Sequence, residues 1–239
     1  MDESRKAEIH GTVPRFDGFF RVDEIDVSHR RRDGALSRQK RLVFERGDSA
    51  GILLLDRANK SVVLVNQFRA PALIGRRRDE PNATDGWVSE TIAGMVDANE
   101  APADAAVREA REETGYRVAA PQLIATFFSS PGGSSERIFL YFAEVGAADL
   151  LGDGGGDDDE DITVIRMTTA ELMERLADGS IDDPKLIIGA YWLKEYLQTG
   201  ARRENIRECG DGRSLLLKET SKRRQIAAKV SKNGDRQTE

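Results

Sequence analysis

The stretch Gly94–Tyr116, GMVDANEAPADAAVREAREETGY, restricts the possible folds more than any other part of the chain. Pro102 suits a first helical position, Asp104 a first turn, and Gly115 the residue just past a helix end. The spacing therefore predicts a helix over Pro102–Thr114. Glu109, Glu112 and Glu113 stand at i, i+3 and i+4 on it, and ~100° per residue puts all three on one face. Like charges so placed repel, and they lie in the last turns, where the helix dipole favours cations. Arg108 and Arg111 offset part of that cost. A solvated, charge-laced surface helix is the plain alternative. The crowding calls for a positive partner, and a hard divalent cation with oxygen ligands is the best candidate. Ala106, Val107 and Ala110 form a narrow apolar stripe for the core, which leaves the glutamates toward a cleft.

Composition excludes several other chemistries. Cys209 is the only cysteine, and His10 and His29 are the only histidines. An intrachain disulfide, a cysteine zinc site and a histidine-dependent triad are thereby set aside. The net charge of −6 gives no electrostatic reason to expect nucleic acid as the main partner. No apolar run approaches the ~20 residues that a membrane span needs, so no membrane partner is expected. MDESRKAEIHG lacks an apolar signal region, and cytoplasm is the expected location.

Along the chain, residues 1 to about 15 are polar and expected to be loose. Phe19–Arg30 and Gln39–Arg46 read as polar strands about a turn at Asp33–Gly34, making a small N-terminal sheet that packs on the main domain or on a second copy. The main domain is expected from Asp48. SAGILLLD and KSVVLVNQF form a buried hairpin about Arg57–Asn59. Gly75–Gly86 reads as a polar loop, and Trp87–Ala93 as one strand leading into the glutamate helix. LIATFFS and RIFLYFAEV are strands joined by a loop from Ser129 to Glu136. Gly152–Asp161 is a flexible acidic loop, ITVIRM a strand, and TTAELMERLADGSI and Pro184–Gln198 helices. Phe68 and Trp87 read as core residues. The residues from Ala201 on are basic and poor in large apolar side chains, and read as a flexible tail. The expected division is 1–47, 48–200 and 201–239.

Gly94, Glu100, Arg108, Glu109, Glu112, Glu113 and Gly115 together give Gly-x5-Glu-x7-Arg-Glu-x-x-Glu-Glu-x-Gly. This resembles the Nudix box, complete at every charged and glycine position, with Ala110 and Tyr116 where bulky aliphatics are usual. The resemblance covers about residues 40 to 200. It implies an α/β (α+β) fold, a Nudix α/β/α sandwich with a mixed central sheet, plus the small N-terminal antiparallel sheet. It also implies hydrolysis of a pyrophosphate bond with Mg²⁺, or Mn²⁺ as a substitute, held by the Ala93 carbonyl, Glu109, Glu112, Glu113 and Glu160. Arg108 would orient the glutamates. Catalytic work would fall to Glu112, Glu160 or Glu136, with Asp158 a neighbour of Glu160. Arg69, Glu90, Gly94, Gly132 and Gly133 would contact substrate, though a strand-end arginine can equally be solvated and Glu136 an ordinary loop residue.

Pro131, sixteen residues after Gly115, is similar to the ADP-ribose pyrophosphatase branch, and SSPGGSSE to bacterial ADP-ribose and GDP-mannose pyrophosphatases. Gly154–Gly156 is more like the GDP-mannose and UDP-glucose branches. The leading expectation is a nucleoside diphosphate-sugar hydrolase with ADP-ribose first. GDP-mannose or a UDP-sugar is the second reading, and a nucleotide-sensing protein on the same fold the third. A homodimer through the N-terminal strands is expected.

Overall fold

The computed structural model describes residues 6–156 and 161–199. Three strands, β1 (Ala7–Asp17), β2 (Arg21–Arg30) and β3 (Leu36–Glu45), form an antiparallel sheet in the order β1-β2-β3. β1 corrects the expectation of a loose N-terminus. Every one of its residues is exposed, so its own pattern carries no burial signal. It is held by its ladder to β2, from Ala7–His29 to Asp17–Arg21, and by cross-strand pairs such as Arg15 with Glu24 at 2.9 Å.

The main sheet is built round β4 (Ser49–Asp56), in which every residue is buried. Its continuous apolar run is what a strand covered on both faces requires. β5 (Ser61–Phe68) follows across a tight turn, with Lys60 at φ 51°. The predicted hairpin forms, but β4 and β5 pair only from Leu54–Val63 to Asp56–Ser61. Beyond that they splay apart. β6 (Trp87–Glu90) takes the free edge of β5, and β7 (Ile92–Met95) takes that of β4. The single strand expected over Trp87–Ala93 is thus two, divided at Thr91 where the chain changes partner. Gly51 sits in the splay, where a Cβ would come within 3.3 Å of the Ile92 carbonyl oxygen.

The other edge of β4 runs parallel to β9 (Arg137–Val145), which pairs with β8 (Gln122–Phe128), while β10 (Ile162–Thr168) lies beside β5. The sheet is therefore mixed. Alternation along the strands sends Ala50, Ile52 and Leu54 to one face and Leu53 and Leu55 to the other. Helix α2 (Pro102–Thr114) covers the first face, and α3 (Thr169–Asp178) and α4 (Pro184–Thr199) the second. This is the α/β/α sandwich with a small extra sheet.

A short helix α1 (Ala70–Arg76) precedes the expected polar loop. Phe68 and Trp87 are not core residues. They are 42% and 39% exposed and pack edge to face, ring centroids 6.0 Å apart. Both lie at the splayed end of the sheet, paired with each other across β5 and β6. Among the described residues no helix is long and apolar enough to cross a membrane. The tail from Ala201, with Cys209, lies outside the described residues.

Candidate active site

Helix α2 meets the sheet through Ala105, Ala106 and Ala110, all fully buried. Small side chains let it sit close to β7. The approach is so tight that a Cβ on Gly94 would fall 1.8 Å from Glu109 Oε1, and only glycine leaves room for that carboxylate. One turn further on, Glu113 is 4% exposed, and its Oε2 accepts a hydrogen bond from Ala93 N–H at 3.3 Å. The Ala93–Gly94 backbone and the carboxylates of Glu109 and Glu113 thus share one small volume.

Arg108 ties the rest together. Its Nη1 donates to Glu109 Oε1 at 2.7 Å and to Glu112 Oε2 at 3.0 Å. Its Nε and Nη2 donate to the two oxygens of Glu100, both at 3.0 Å, and Nη2 also donates to the Met95 carbonyl at 3.0 Å. The hydrogen bonds to Glu100 in the first place, then those to Glu109 and Glu112, raise the arginine pKa further above its ordinary value. Reciprocally, Arg108 pulls the Glu100 carboxyl below the usual carboxylate range.

The helix end is closed by a turn that the sequence marked only by its glycines. Gly115 adopts φ 73°, and a Cβ there would meet the Gly152 carbonyl oxygen at 2.1 Å. Gly155 N–H donates to the Glu113 carbonyl at 2.9 Å and Gly156 N–H to that of Glu112 at 3.1 Å. These are carbonyls that an α-helix leaves without intrahelical partners. Glu160, like Asp158, lies outside the described residues.

The remaining candidates fall into two groups at the same end of the sheet. Arg69 Nε donates to Glu90 Oε1 at 2.6 Å, so these two predicted substrate contacts form a pair. Lys185 Nζ joins them, 3.3 Å from Glu90 Oε2 and 2.9 Å from Asp183 Oδ1, while Asp183 Oδ2 accepts from Thr91 N–H at 2.9 Å. Burial works against the Lys185 charge, but Asp183 and Glu90 outweigh it and raise its pKa. Lys185 and Asp183 escaped the sequence reading. The signal was there: a lysine in the first turn of α4 opposes the helix dipole, as the glutamates do at the end of α2.

Glu136, 8% exposed, begins the second group. Its Oε1 accepts from Ser49 Oγ at 2.6 Å. Ser49 pairs with Met95, and the next residue, Ala50, with Gly94, which sets Glu136 at the box end of the sheet. Gly132 and Gly133 have open space beside them, and the Gly133 carbonyl accepts from Phe44 N–H at 2.8 Å. Gly133 thereby joins the loop to β3.

Three carboxylates and a backbone carbonyl are all hard oxygen donors, which fits Mg²⁺ or Mn²⁺. Among the described residues no three acidic side chains form a ready metal cage. A cation is nonetheless already accommodated, because the Arg108 guanidinium bridges Glu109 and Glu112. The residues therefore fit a divalent ion, which would compete with Arg108 for two of its partners.

Comparison with known proteins gives three findings. Residues 45–187 match the family model described as NUDIX domain. The chain is 38% identical over 182 residues to a GDP-mannose pyrophosphatase of Cronobacter sakazakii, covering 76% of this chain and 90% of that one. It is 39% identical over 169 residues to the GDP-mannose pyrophosphatase of Klebsiella pneumoniae, covering 71% and 80%. A crystal structure of an ADP compounds hydrolase superposes with TM-score 0.61 at 17% identity, over 84% of this chain and all of that one, which speaks to the fold alone.

Proposed function

The chain belongs to the NUDIX domain family, and on that premise we propose that it is a Mg²⁺-dependent nucleoside diphosphate-sugar pyrophosphatase. It is a Nudix hydrolase acting on nucleoside diphosphate derivatives. The observation that carries the site is the packing of the α2 carboxylates against Ala93–Gly94, with Glu109 lying on a glycine that tolerates no side chain.

In the proposed reaction, the oxygen of water attacks one phosphorus of the diphosphate. The bond from that phosphorus to the bridging oxygen breaks, the water proton passes to a carboxylate, and two phosphate monoesters leave. The Ala93 carbonyl, Glu109, Glu112 and Glu113 would hold a divalent ion, Mg²⁺ or Mn²⁺, which supplies charge neutralisation at the phosphoryl oxygens. Arg108 orients Glu109 and Glu112. Glu136 takes the proton, its other oxygen fixed by Ser49. Arg69, braced by Glu90, would supply a cation to the phosphates.

The relatives named GDP-mannose pyrophosphatase favour GDP-mannose as substrate. ADP-ribose, which the sequence reading put first, remains the second reading on the position of Pro131, sixteen residues after Gly115. Hydrolysis of GDP-mannose, ADP-ribose and UDP-glucose with Mg²⁺, with the phosphate esters identified, tests both. Release of inorganic phosphate, or no turnover of any of the three, overturns the reading.

We propose also that two copies associate through the N-terminal sheet. Val13, Glu24 and Leu42 are in register, as are Phe16, Val22 and Phe44, so the exposed Val13, Phe16 and Leu42 share one face, with the Glu24 ion pairs among them. A monomer mass by light scattering at micromolar concentration would remove this proposal.

A further inference from the structure

The segment after β3 carries a part-buried charge that the reaction above does not use. Arg46 packs its guanidinium over the Phe20 ring, 5.1 Å from the centroid, and its Nε lies 3.5 Å from Glu136 Oε1. That Nε is buried and makes no hydrogen bond. At 3.5 Å the contact is an ion pair rather than a hydrogen bond. Burying a guanidinium nitrogen without a hydrogen-bonding partner is costly, and packing alone does not call for a charged group here, since Phe20 already has Phe19 and Phe44 against it, with centroids 4.6 and 5.2 Å away.

The surrounding backbone shows what Arg46 is held against. Phe44 N–H donates to the Gly133 carbonyl and Ser135 N–H to that of Phe44, at 2.8 and 3.3 Å. Ser135 Oγ donates to Glu45 at 2.6 Å. Arg137 is paired with Asp48, and Ser49 Oγ donates to Glu136 Oε1. Residues 44–49 are thus stitched to residues 133–137 on both sides of Arg46. Within that seam the Glu136 carboxylate meets two groups, the Ser49 hydroxyl and the Arg46 guanidinium, both on the same oxygen. Oε2 is the oxygen they do not occupy.

We propose that Arg46 is a positioning residue for Glu136. It anchors Oε1 in company with Ser49 and so aims Oε2 at the attacking water. The proposal rests on the reading of Glu136 as the proton acceptor. The aromatic cluster of Phe19, Phe20 and Phe44 holds Arg46 in place, which connects the first hairpin of the N-terminal sheet to the hydrolytic centre. The effect belongs in kcat, because Arg46 touches neither the metal-binding face nor Arg69.

The test is a cycle of Arg46→Met, Glu136→Gln and the double variant on the full chain, with Arg46→Lys beside it and melting temperatures recorded. Arg46→Met is expected to lower kcat about 10- to 100-fold, the range seen when a supporting partner of a reacting group is lost, with KM within twofold. In the Glu136→Gln background the same change is expected to do almost nothing. Arg46→Lys keeps the charge but not the planar fork, and is expected to restore part of kcat. If Arg46→Met multiplies the loss of Glu136→Gln in full, or moves KM rather than kcat, the positioning role is overturned while the reading of Glu136 stands. If Glu136→Gln alone leaves kcat intact, the reading of Glu136 fails first. Should Arg46→Met not fold, the Arg46→Lys cycle decides by the same criterion.

Discussion

Two charge clusters flank the strand pair β6–β7, and they use similar side chains for different ends. In the first, Arg108 gathers Glu100, Glu109 and Glu112, and the Glu112 side chain is 45% exposed. In the second, Lys185 gathers Glu90 and Asp183 with the Lys185 side chain only 13% exposed, and Arg69 joins from the rim. The first cluster has more carboxylates than cations, an excess that a divalent ion would offset on the proposed reading. The second is balanced inside the splay of β4 and β5, and removing Lys185 leaves the buried Asp183 without a cationic partner. Charge balance, more than burial, separates the two: three carboxylates share one arginine in the first, whereas two cations meet two carboxylates in the second.

The sharpest way to break this contrast is Glu113→Gln. It is expected to cut kcat by about a thousandfold, in the range for loss of a group that stabilises developing charge, while the melting temperature stays near that of the parent. Steady-state hydrolysis at saturating Mg²⁺ reads it, and near-normal turnover would remove the first cluster from the chemistry.

Lys185→Met should do the reverse at the second cluster. Leaving Glu90 and Asp183 buried beside each other is expected to cost about 3 kcal/mol, or about 6 to 12 °C in melting temperature for a domain of this size. The pH dependence carries the sign. The folded pKa of Lys185 is raised, so its stabilisation is complete below the unfolded value, about 10.4, and is lost only as pH rises through the folded one. The melting gap between parent and variant should hold through neutral pH and close in strong alkali. A gap that persists unchanged in strong alkali would contradict the assignment.

Gly94→Ala probes the border of the two. A methyl group placed against Glu109 Oε1 must displace that carboxylate, at about 2 kcal/mol of overpacking, and calorimetric titration with Mn²⁺ should show weakened binding. The smallest effect is expected from Glu100→Gln. Arg108 keeps its other partners, so a loss below about 1 kcal/mol by urea unfolding is expected.

Much of this was legible in the residues, and the gaps have physical causes. The extent of α2, its capping glycine and the carboxylate face follow from spacing, because helix ends and periodicity are local properties. The burial of β4 and β5 follows from two apolar runs. Strand β1 was missed because all its residues face solvent and its order comes from β2. The division at Thr91 was missed because it depends on Asp183, some ninety residues away, accepting the Thr91 N–H. The exposed pair Phe68 and Trp87 misled because a large aromatic is usually buried, and the splay leaves these two uncovered. Ser49, Arg46 and Lys185 acquire their partners only when distant strands meet, and only Lys185 advertises itself locally, by standing at the wrong end of a helix.

The parallel pairing of β4 with β9 bears on how the chain emerges during synthesis. Ser49 must wait for Ile138 before that edge is covered. At about 5–20 residues per second, β4, a strand buried at every residue, spends roughly 4 to 18 seconds with one side unpartnered. Over that interval β5 and β7 shield only the opposite edge. A nascent chain of this design has reason to engage a chaperone between the two strands, and arrest of translation just short of Arg137 should give the most aggregation-prone intermediate.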